Sequence, residues 1–208
     1  MFASVQSLGL FGIDGFPVTT EADISQGLPS FELVGLPDAA VRESRDRVRA
    51  VIKNTGFTYP VSRITVNLAP ADVKKEGSVY DLPLLLAILQ ASGQLKVSLA
   101  GKAFIGELSL AGAIRPVRGV LPMAIAARDA GMKELYVPAE NAEEAAVVGG
   151  ISVFAPPDVD ALMLHLCGNL PLPVVVPHAN DDKNEPPLPD FCEVMGQETA
   201  RRAMEIAA

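Results

Sequence analysis

The sequence predicts an α/β sandwich in which the strands of one main domain are covered by helices. Strand-like and helix-like segments alternate from residue 2 to residue 167. Hydrophobic residues make up 49% of the chain, but aromatic residues only 5%, so branched aliphatics and alanine fill the interior. The run LPLLLAIL at 82–89 is typical of a helix that is buried between layers.

The first half of the chain opens with a predicted hairpin. Residues 2–13 and 15–24 have strand-like patterns, and Asp14-Gly15 between them is a tight-turn signal. Residues 31–35 predict a third short strand. A helix over 38–54 follows, with Val41, Val48 and Ile52 on its apolar face, and Asn54-Thr55-Gly56 ends it.

The middle of the chain predicts a β-branched strand at 63–69, a polar loop at 70–81 and a buried helix at 82–93. Pro83 suits the first turn of that helix, and Asp81 is predicted to be its N-cap. Residues 103–117 predict a hairpin, and 119–130 a second buried core helix that ends at Gly131. Strands at 134–138 and 151–155 and helices at 139–147 and 158–167 complete the domain.

The composition changes after Gly168. Residues 168–190 are rich in proline and polar residues and lack a periodic apolar pattern, which predicts a semi-rigid linker. Residues 191–208 resume a helical pattern, with Ala200, Ala203, Met204 and Ala207 three and four positions apart. We therefore expect this last segment to be the start of a further domain without a core of its own.

The net charge of −8 argues against a globally basic nucleic-acid binder. Half of it lies in the last 40 residues, because residues 1–168 hold 14 basic and 18 acidic residues and residues 169–208 hold 3 and 7. A local basic face on the main domain is therefore compatible with the total. No apolar run reaches the length of about 18–20 residues that a membrane span needs. The chain has two cysteines, Cys167 and Cys192, and its start lacks a basic signal-peptide region, so a cytoplasmic location is expected.

Three stretches resemble the ComM/YifB family of AAA+ ATPases, which is called magnesium-chelatase-like. They are GLPSFELVGLPDAAVRESRDRVRAVIKNTGF at 27–57, ITVNLAPADVKKEGSVYDLPLLLAIL at 64–89 and FIGELSLAGAIRPVRGVLP at 104–122. The resemblance implies three segments: 1–167, similar to the Lon protease domain and the RadA carboxy-terminal domain; 168–190, a linker; and 191–208, the start of an AAA+ ATPase domain.

The same resemblance implies a hexameric ring of identical subunits that acts on DNA, in branch migration during natural transformation. It implies no membrane partner. ATP and Mg²⁺ would bind in the ATPase domain and no cofactor in this chain, because the sequence contains no G-x-x-x-x-G-K-[ST] phosphate-binding loop.

The resemblance to Lon also bears on catalysis. Lon uses a serine nucleophile and a lysine that takes its proton. The string Lys75-Glu76-Gly77-Ser78-Val79 places Val79 at the serine position, or Ser78 after a slip of one residue, and Leu121 at the lysine position. Arg118 lies near but stays charged and cannot act as a base. We therefore expect no catalytic residue in this chain and a loop serine at Ser78.

The helix at 38–54 carries the candidate nucleic-acid-binding residues. At about 100° per residue, Arg42, Arg45, Arg49 and Lys53 fall within one arc of roughly 80°. Guanidinium groups at this spacing can reach successive phosphates of a strand. The alternative is a solvated or subunit-facing surface, in which the arginines pair with Asp38, Asp46 or neighbouring carboxylates.

The loop at 70–81 is the second candidate, because it corresponds to the active-site loop of Lon. Lys74, Lys75, Glu76 and Ser78 would border a cleft that could bind a ligand or peptide; the alternative is a plain surface loop. His165 and Cys167 are two residues apart, which does not favour a metal pair, so no metal ligand is assigned.

Three functions remain open at this point. The chain is expected to be a non-catalytic amino-terminal domain of a hexameric DNA motor that assists ring assembly and DNA contact. A Lon-derived peptide-binding domain without protease activity and a pure oligomerisation module are the alternatives.

Overall fold

A computed structural model describes residues 1–177, 193 and 195–207. Two units are distinguished, Met1–Pro177 and His178–Ala208. The described elements of the first are β1 (Phe2–Phe11), β2 (Asp14–Ser25), β3 (Ser30–Val34), α1 (Ala39–Asn54), β4 (Arg63–Ala69), α2 (Asp81–Ala91), β5 (Lys102–Phe104), β6 (Glu107–Leu108), β7 (Ile114–Arg115), α3 (Val120–Asp129), β8 (Glu134–Tyr136), α4 (Ala142–Ala146), β9 (Ser152–Phe154) and α5 (Val159–Leu166). Short 3-10 turns lie at Ser78–Tyr80 and Ala139–Asn141.

Seven strands form one mixed, mainly parallel sheet in the order β3-β4-β2-β1-β5-β8-β9. β2 is antiparallel to both β1 and β4, and the other four pairs are parallel. α2 and α3 each pack against β1 and β2, and α1 packs against α2. The predicted α/β class, with strands covered by helices, is confirmed.

The β1–β2 hairpin forms, but its turn lies two residues earlier than predicted. Phe11 pairs with Asp14, so the two turn residues are Gly12 and Ile13, and Gly12 has the left-handed φ of 63° that such a turn needs. Gly15 is already inside β2. A Cβ at Gly15 would lie 2.2 Å from the backbone oxygen of Pro122, so this glycine allows the hairpin to approach α3 closely.

The prediction of two buried helices holds for α2 and fails in part for α3. Ten of the eleven α2 residues are buried, in agreement with the apolar run in the sequence. α3 is buried on one side only, and even its apolar residues Leu121 and Ile125 are each 38% exposed. Only its inner face meets the sheet, through Val120, Met123, Ala124 and Ala127 at spacings of one, three and four residues.

The predicted hairpin at 103–117 is divided between two sheets. β5 joins the main sheet, where Gln6 pairs with Ala103 and β8 lies on the other side. Only β6 and β7 form a hairpin, with Leu108 opposite Ile114. The sequence pattern alone did not separate the two, because both parts alternate as strands do.

The segment after α5 packs on the core of the first unit as far as Val175. Leu172 and Val175 are partly buried against the core, and the Val175 N–H donates to the carbonyl of Val153 at 2.9 Å. Residues 178–190 of the predicted linker, and Cys192, lie outside the described residues. In the second unit, α6 (Glu198–Ala207) has no buried residue. Within the described ranges, every helix is too short or too polar to cross a bilayer.

Candidate nucleic-acid interface

α1 begins at a well-formed cap and buries one face. The Asp38 carboxylate accepts from the Val41 N–H at 2.8 Å, and its second oxygen accepts from the Gly77 N–H at 3.1 Å. Val41, Val48, Val51 and Ile52 lie in the core, which includes the three predicted apolar positions. The cap therefore fixes the start of α1 and joins it to the loop at 70–81.

The side of α1 next to its buried face carries the four predicted basic residues, which we call the α1 stripe: Arg42, Arg45, Arg49 and Lys53. All four are exposed. Arg45 pairs with its neighbour Asp46 at 3.1 Å, and this hydrogen bond raises the pKa of the Arg45 guanidinium. Between residues 1 and 177, Arg42, Arg49 and Lys53 form no ion pair, so three cations of the stripe face solvent without a carboxylate.

A groove of about 320 Å³, which we call the α1 groove, lies beside the stripe. The Arg49 guanidinium carbon lies 5.3 Å from the centre of the Tyr59 ring, within the range of a cation–π contact. Burial raises the pKa of Tyr59, so its hydroxyl remains protonated at neutral pH. Arg45 and Arg49 thus meet aromatic and proline side chains of the neighbouring loop and of β3.

The remaining arginine of α1, Arg47, faces inward, and its contacts contradict the predicted role of Asp81. Asp81 is completely buried and is the first residue of α2, whose N-cap is Tyr80. Its two oxygens accept from Arg47 Nε at 2.6 Å and Nη2 at 3.0 Å, and the Leu108 N–H adds a third bond at 3.0 Å. Asp81 is therefore not an N-cap; its carboxylate joins α1, α2 and β6.

The loop at 70–81 borders a cleft of about 730 Å³, whose lining includes Leu10, Asp38, Glu76, Ser78, Glu107 and Arg118. Ser78 Oγ donates to a Glu107 oxygen, and Glu107 also faces Arg115 at 3.7 Å. Lys74 is exposed and pairs with Glu76 at 2.7 Å. Of the four residues predicted to border a cleft, Glu76 and Ser78 line it in the structure. Lys74 and Lys75 do not.

Lys75 is the exception in a largely exposed part of the loop, because it is completely buried. Its N–H donates to the Leu36 carbonyl and its own carbonyl accepts from the Asp38 N–H, both at 3.0 Å. The Lys75 Nζ donates to the Val73 carbonyl at 2.7 Å. Burial lowers the pKa of this ammonium. The two backbone hydrogen bonds of Lys75 anchor the loop against the start of α1.

The positions that match the Lon dyad hold apolar residues in the structure. Val79 is buried, and Leu121 lies at the start of α3, where its N–H donates to Glu144 at 2.9 Å. Arg118 lines the cleft. A serine can attack an amide only when a neighbouring base takes its proton, which a lysine does in Lon. The Ser78 hydroxyl instead donates to the carboxylate of Glu107.

His165 takes part in a hydrogen-bond network. Its Nδ1 accepts from the Leu172 N–H at 2.8 Å, and its Nε2 lies 3.0 Å from the Tyr136 hydroxyl, which donates to Glu134 at 2.7 Å. Glu134 also binds Lys102. Cys167 is exposed, and no cluster of three metal-ligating side chains occurs among residues 1–177, 193 and 195–207.

Sequence reasoning missed Tyr59, Glu107 and the Arg47–Asp81 pair. Asp81 lies 34 residues from Arg47, so nothing local joins them. On the helix, Arg47 lies about 120° from the middle of the predicted apolar face, farther than Arg45 of the α1 stripe, so its position gave no signal of an inward role. The aromatic Tyr59 in the loop after α1 gave no signal either.

Part of the chain is similar in sequence to Lon proteases. The Lon protease of Mycolicibacterium smegmatis is 26% identical over 140 residues, which is 64% of this chain and 18% of that protein. The family described as "Subunit ChlI of Mg-chelatase" matches residues 20–141. The chain belongs to this magnesium-chelatase-like family.

More similar relatives cover nearly the whole chain. An uncharacterized protein of Mycobacterium tuberculosis is 44% identical over 203 residues, 97% of this chain and 40% of that protein. YifB of Escherichia coli is 39% identical, over 98% of this chain and 40% of that protein. Competence protein ComM of Haemophilus influenzae is 40% identical, over 99% and 41%. The chain thus spans about 40% of the length of these relatives.

Proposed function

We propose that the chain is a non-catalytic domain of a hexameric AAA+ DNA motor, and that it assists ring assembly and contacts DNA phosphates through the α1 stripe. The observation that carries the DNA contact is the exposure of four basic side chains on one helix face of an otherwise acidic protein. Three of the four form no ion pair within residues 1–177. Their charge is therefore available to an anionic partner.

The relatives support the motor. One of them is named a competence protein, and each is more than twice as long as this chain, which leaves room for an ATPase domain elsewhere. Branch migration of DNA during natural transformation is the process that this proposal assigns to the whole protein. ATP and Mg²⁺ would bind the ATPase domain, since the present sequence has no phosphate-binding loop.

The proposal predicts DNA binding that depends on salt but not on sequence. Phosphate contacts release counterions, so affinity falls steeply with salt, and nothing in the stripe reads base edges. An Arg42/Arg45/Arg49→Ala triple variant should bind a 20-base-pair duplex at least tenfold more weakly at low salt. Its log–log salt slope should be smaller by about three units, because each arginine that no longer neutralises a phosphate removes about one unit.

The matched control replaces three exposed arginines off the stripe. Arg63, Arg115 and Arg128 each pair with a carboxylate, so the Arg63/Arg115/Arg128→Ala variant has the same net charge without touching α1. It should retain most of the affinity. An equal loss of DNA affinity in both triple variants would show that only net charge matters, which would contradict the proposal. Light scattering on all three proteins tells whether assembly changes along with binding.

The cleft supports a second candidate, a peptide-binding domain without protease activity. Its volume lies in the range of roughly 300–1,000 Å³ that is typical of ligand sites, and it combines apolar and charged walls. We expect no cleavage of unfolded protein by the chain, with or without ATP. Cleavage that disappears in a Ser78→Ala variant, measured by release of labelled peptides from casein, would show a working nucleophile instead.

A further inference from the structure

The α1 groove joins two kinds of surface that the α1 stripe alone does not have. Its basic wall is formed by Arg45 and Arg49, and its apolar surfaces by Phe31, Tyr59, Pro60 and Val61. Val61 is 80% exposed at the rim, and Phe31 is only partly buried in β3. A ligand that fits this groove has an anionic group next to a flat, weakly polar one.

Arg49 is the point at which the two surfaces meet. Its guanidinium lies over the Tyr59 ring at 5.3 Å and forms no ion pair within residues 1–177. This cation–π contact holds the guanidinium beside the ring while its N–H donors remain available to an anion. Arg45 stands one helical turn earlier on the same wall, so two cations border one apolar surface.

A DNA duplex cannot use this arrangement fully, because its bases are stacked inside and only its phosphates face outward. A single strand offers both phosphates and unpaired bases, and stacking of a base on an aromatic side chain contributes about 1–3 kcal/mol. The groove is small, about 320 Å³, which is near the lower limit of roughly 300 Å³ for small-molecule sites. One base, with the phosphates on either side of it, suits this volume.

We propose that the α1 groove seats one unpaired base of a single-stranded nucleic acid while Arg45 and Arg49 bind its flanking phosphates. This inference rests on the proposed function and deepens it: the α1 stripe holds the backbone of either duplex or single strand, and the groove adds a preference for the single strand. The bound base packs against Pro60, Val61 and the part of the Tyr59 ring that Arg49 leaves uncovered.

The test compares fluorescently labelled (dT)20 with a 20-base-pair duplex, by anisotropy, on the 208-residue chain. A Tyr59→Leu variant keeps an apolar side chain but removes the ring. It should lower the affinity for (dT)20 by about 5- to 140-fold and leave duplex affinity within twofold, since about 1.4 kcal/mol corresponds to a factor of ten. Tyr59→Phe should behave as the unaltered protein. An equal loss on both DNA forms, or on neither, overturns the inference.

A second variant changes an exposed position, where substitutions usually alter stability little. Val61→Trp adds a stacking surface at an exposed position of the groove, whereas Val147→Trp adds the same side chain at an exposed position after α4. Only the first should tighten (dT)20 binding, by about threefold or more. Increases in both variants, or in neither, contradict a base-binding groove.

A free mononucleotide has the same chemistry as one unit of a strand, and competition separates the two sources. Thymidine monophosphate brings a single phosphate, so it should displace (dT)20 only at millimolar concentration. Displacement at micromolar concentration would identify a mononucleotide site and overturn the strand assignment. Loss of both DNA forms in the Arg42/Arg45/Arg49→Ala variant, with no effect of Tyr59→Leu or Val61→Trp, would leave the proposed function intact and remove this inference alone.

Discussion

Two faces of the same helix use the same residue type in opposite ways. On the inner side of α1, the Arg47 side chain is 21% exposed and binds both oxygens of a buried carboxylate. On the outer side, Arg42 and Arg49 are exposed and form no ion pair within residues 1–177. Arg47 therefore stabilises the fold, whereas Arg42 and Arg49 are available to a partner. Residue type therefore says little about role until the face of the helix is known.

The inner pair has little freedom to change. Asp81 has no solvent contact, and besides Arg47 it accepts only the Leu108 N–H among the described bonds. Arg47 also donates to the Ala40 carbonyl and to Ser44 Oγ. Removing one partner leaves a buried charge without compensation, which is far more costly than removing an exposed charge.

The largest expected effect is therefore on stability. Arg47→Ala should lower the free energy of unfolding by about 3–5 kcal/mol, because Asp81 is left buried and unpaired. Urea titration monitored by circular dichroism measures it. Arg49→Ala on the same helix is the control and should change stability by no more than about 1 kcal/mol, the size of its cation–π contact with Tyr59.

A double replacement separates charge from packing. Arg47→Met with Asp81→Leu removes both charges and keeps apolar volume, so it should recover much of the loss seen in Arg47→Ala. If Arg47→Ala were as stable as Arg49→Ala, the distinction between the two faces of α1 would be lost.

Much of this architecture could be predicted from local patterns. The apolar spacing in 38–54, the β-branched run at 63–69 and the apolar run at 82–89 each define an element that the structure contains. The exposed positions of the α1 stripe follow from helical geometry alone. Such features depend on neighbours within a few residues, and the sequence displays them directly.

The errors arise where distant contacts decide. The position of Asp81 before an apolar run predicts an N-cap, but its carboxylate binds Arg47 of another helix instead. Gly15 fits a turn by its sequence, but the close approach of Pro122 is what requires a glycine there. The sequence around Lys75 predicts an exposed loop lysine, but its backbone pairs with Leu36 and Asp38 and the residue is buried. Tyr59 likewise became a candidate site residue only because the structure places its ring beside Arg49.

The next effect in size concerns a single member of the α1 stripe. Arg42→Ala should leave the free energy of unfolding within about 0.5 kcal/mol of the unaltered value and reduce the salt slope of duplex binding by about one unit. Anisotropy at four salt concentrations measures the slope. A loss of stability comparable to that of Arg47→Ala would show that the outer face also serves the fold.

The smallest expected effect concerns His165, which lies between these extremes because it is partly buried and bonded on both ring nitrogens. Its Nδ1 accepts from the Leu172 N–H, which requires the neutral ring, so protonation removes one hydrogen bond of the segment after α5. Burial lowers the pKa of His165, and nearby Lys102 acts in the same direction while Glu134 opposes it. The Tyr136 hydroxyl completes its surroundings.

The direction of the pH dependence follows from the lowered pKa. Below about pH 6.5 the unfolded chain binds a proton at this histidine before the folded chain does, so stability falls as the pH is lowered from 7.5 to 5.5. His165→Asn keeps an acceptor but does not titrate, and it should flatten the dependence over this interval. The carboxyl of Glu134 also has a lowered pKa, but it is protonated only at more acidic pH, so it affects a different interval. Urea titrations at the two pH values measure the difference between the proteins. The same loss of stability in both would show that His165 does not hold the segment through its neutral ring.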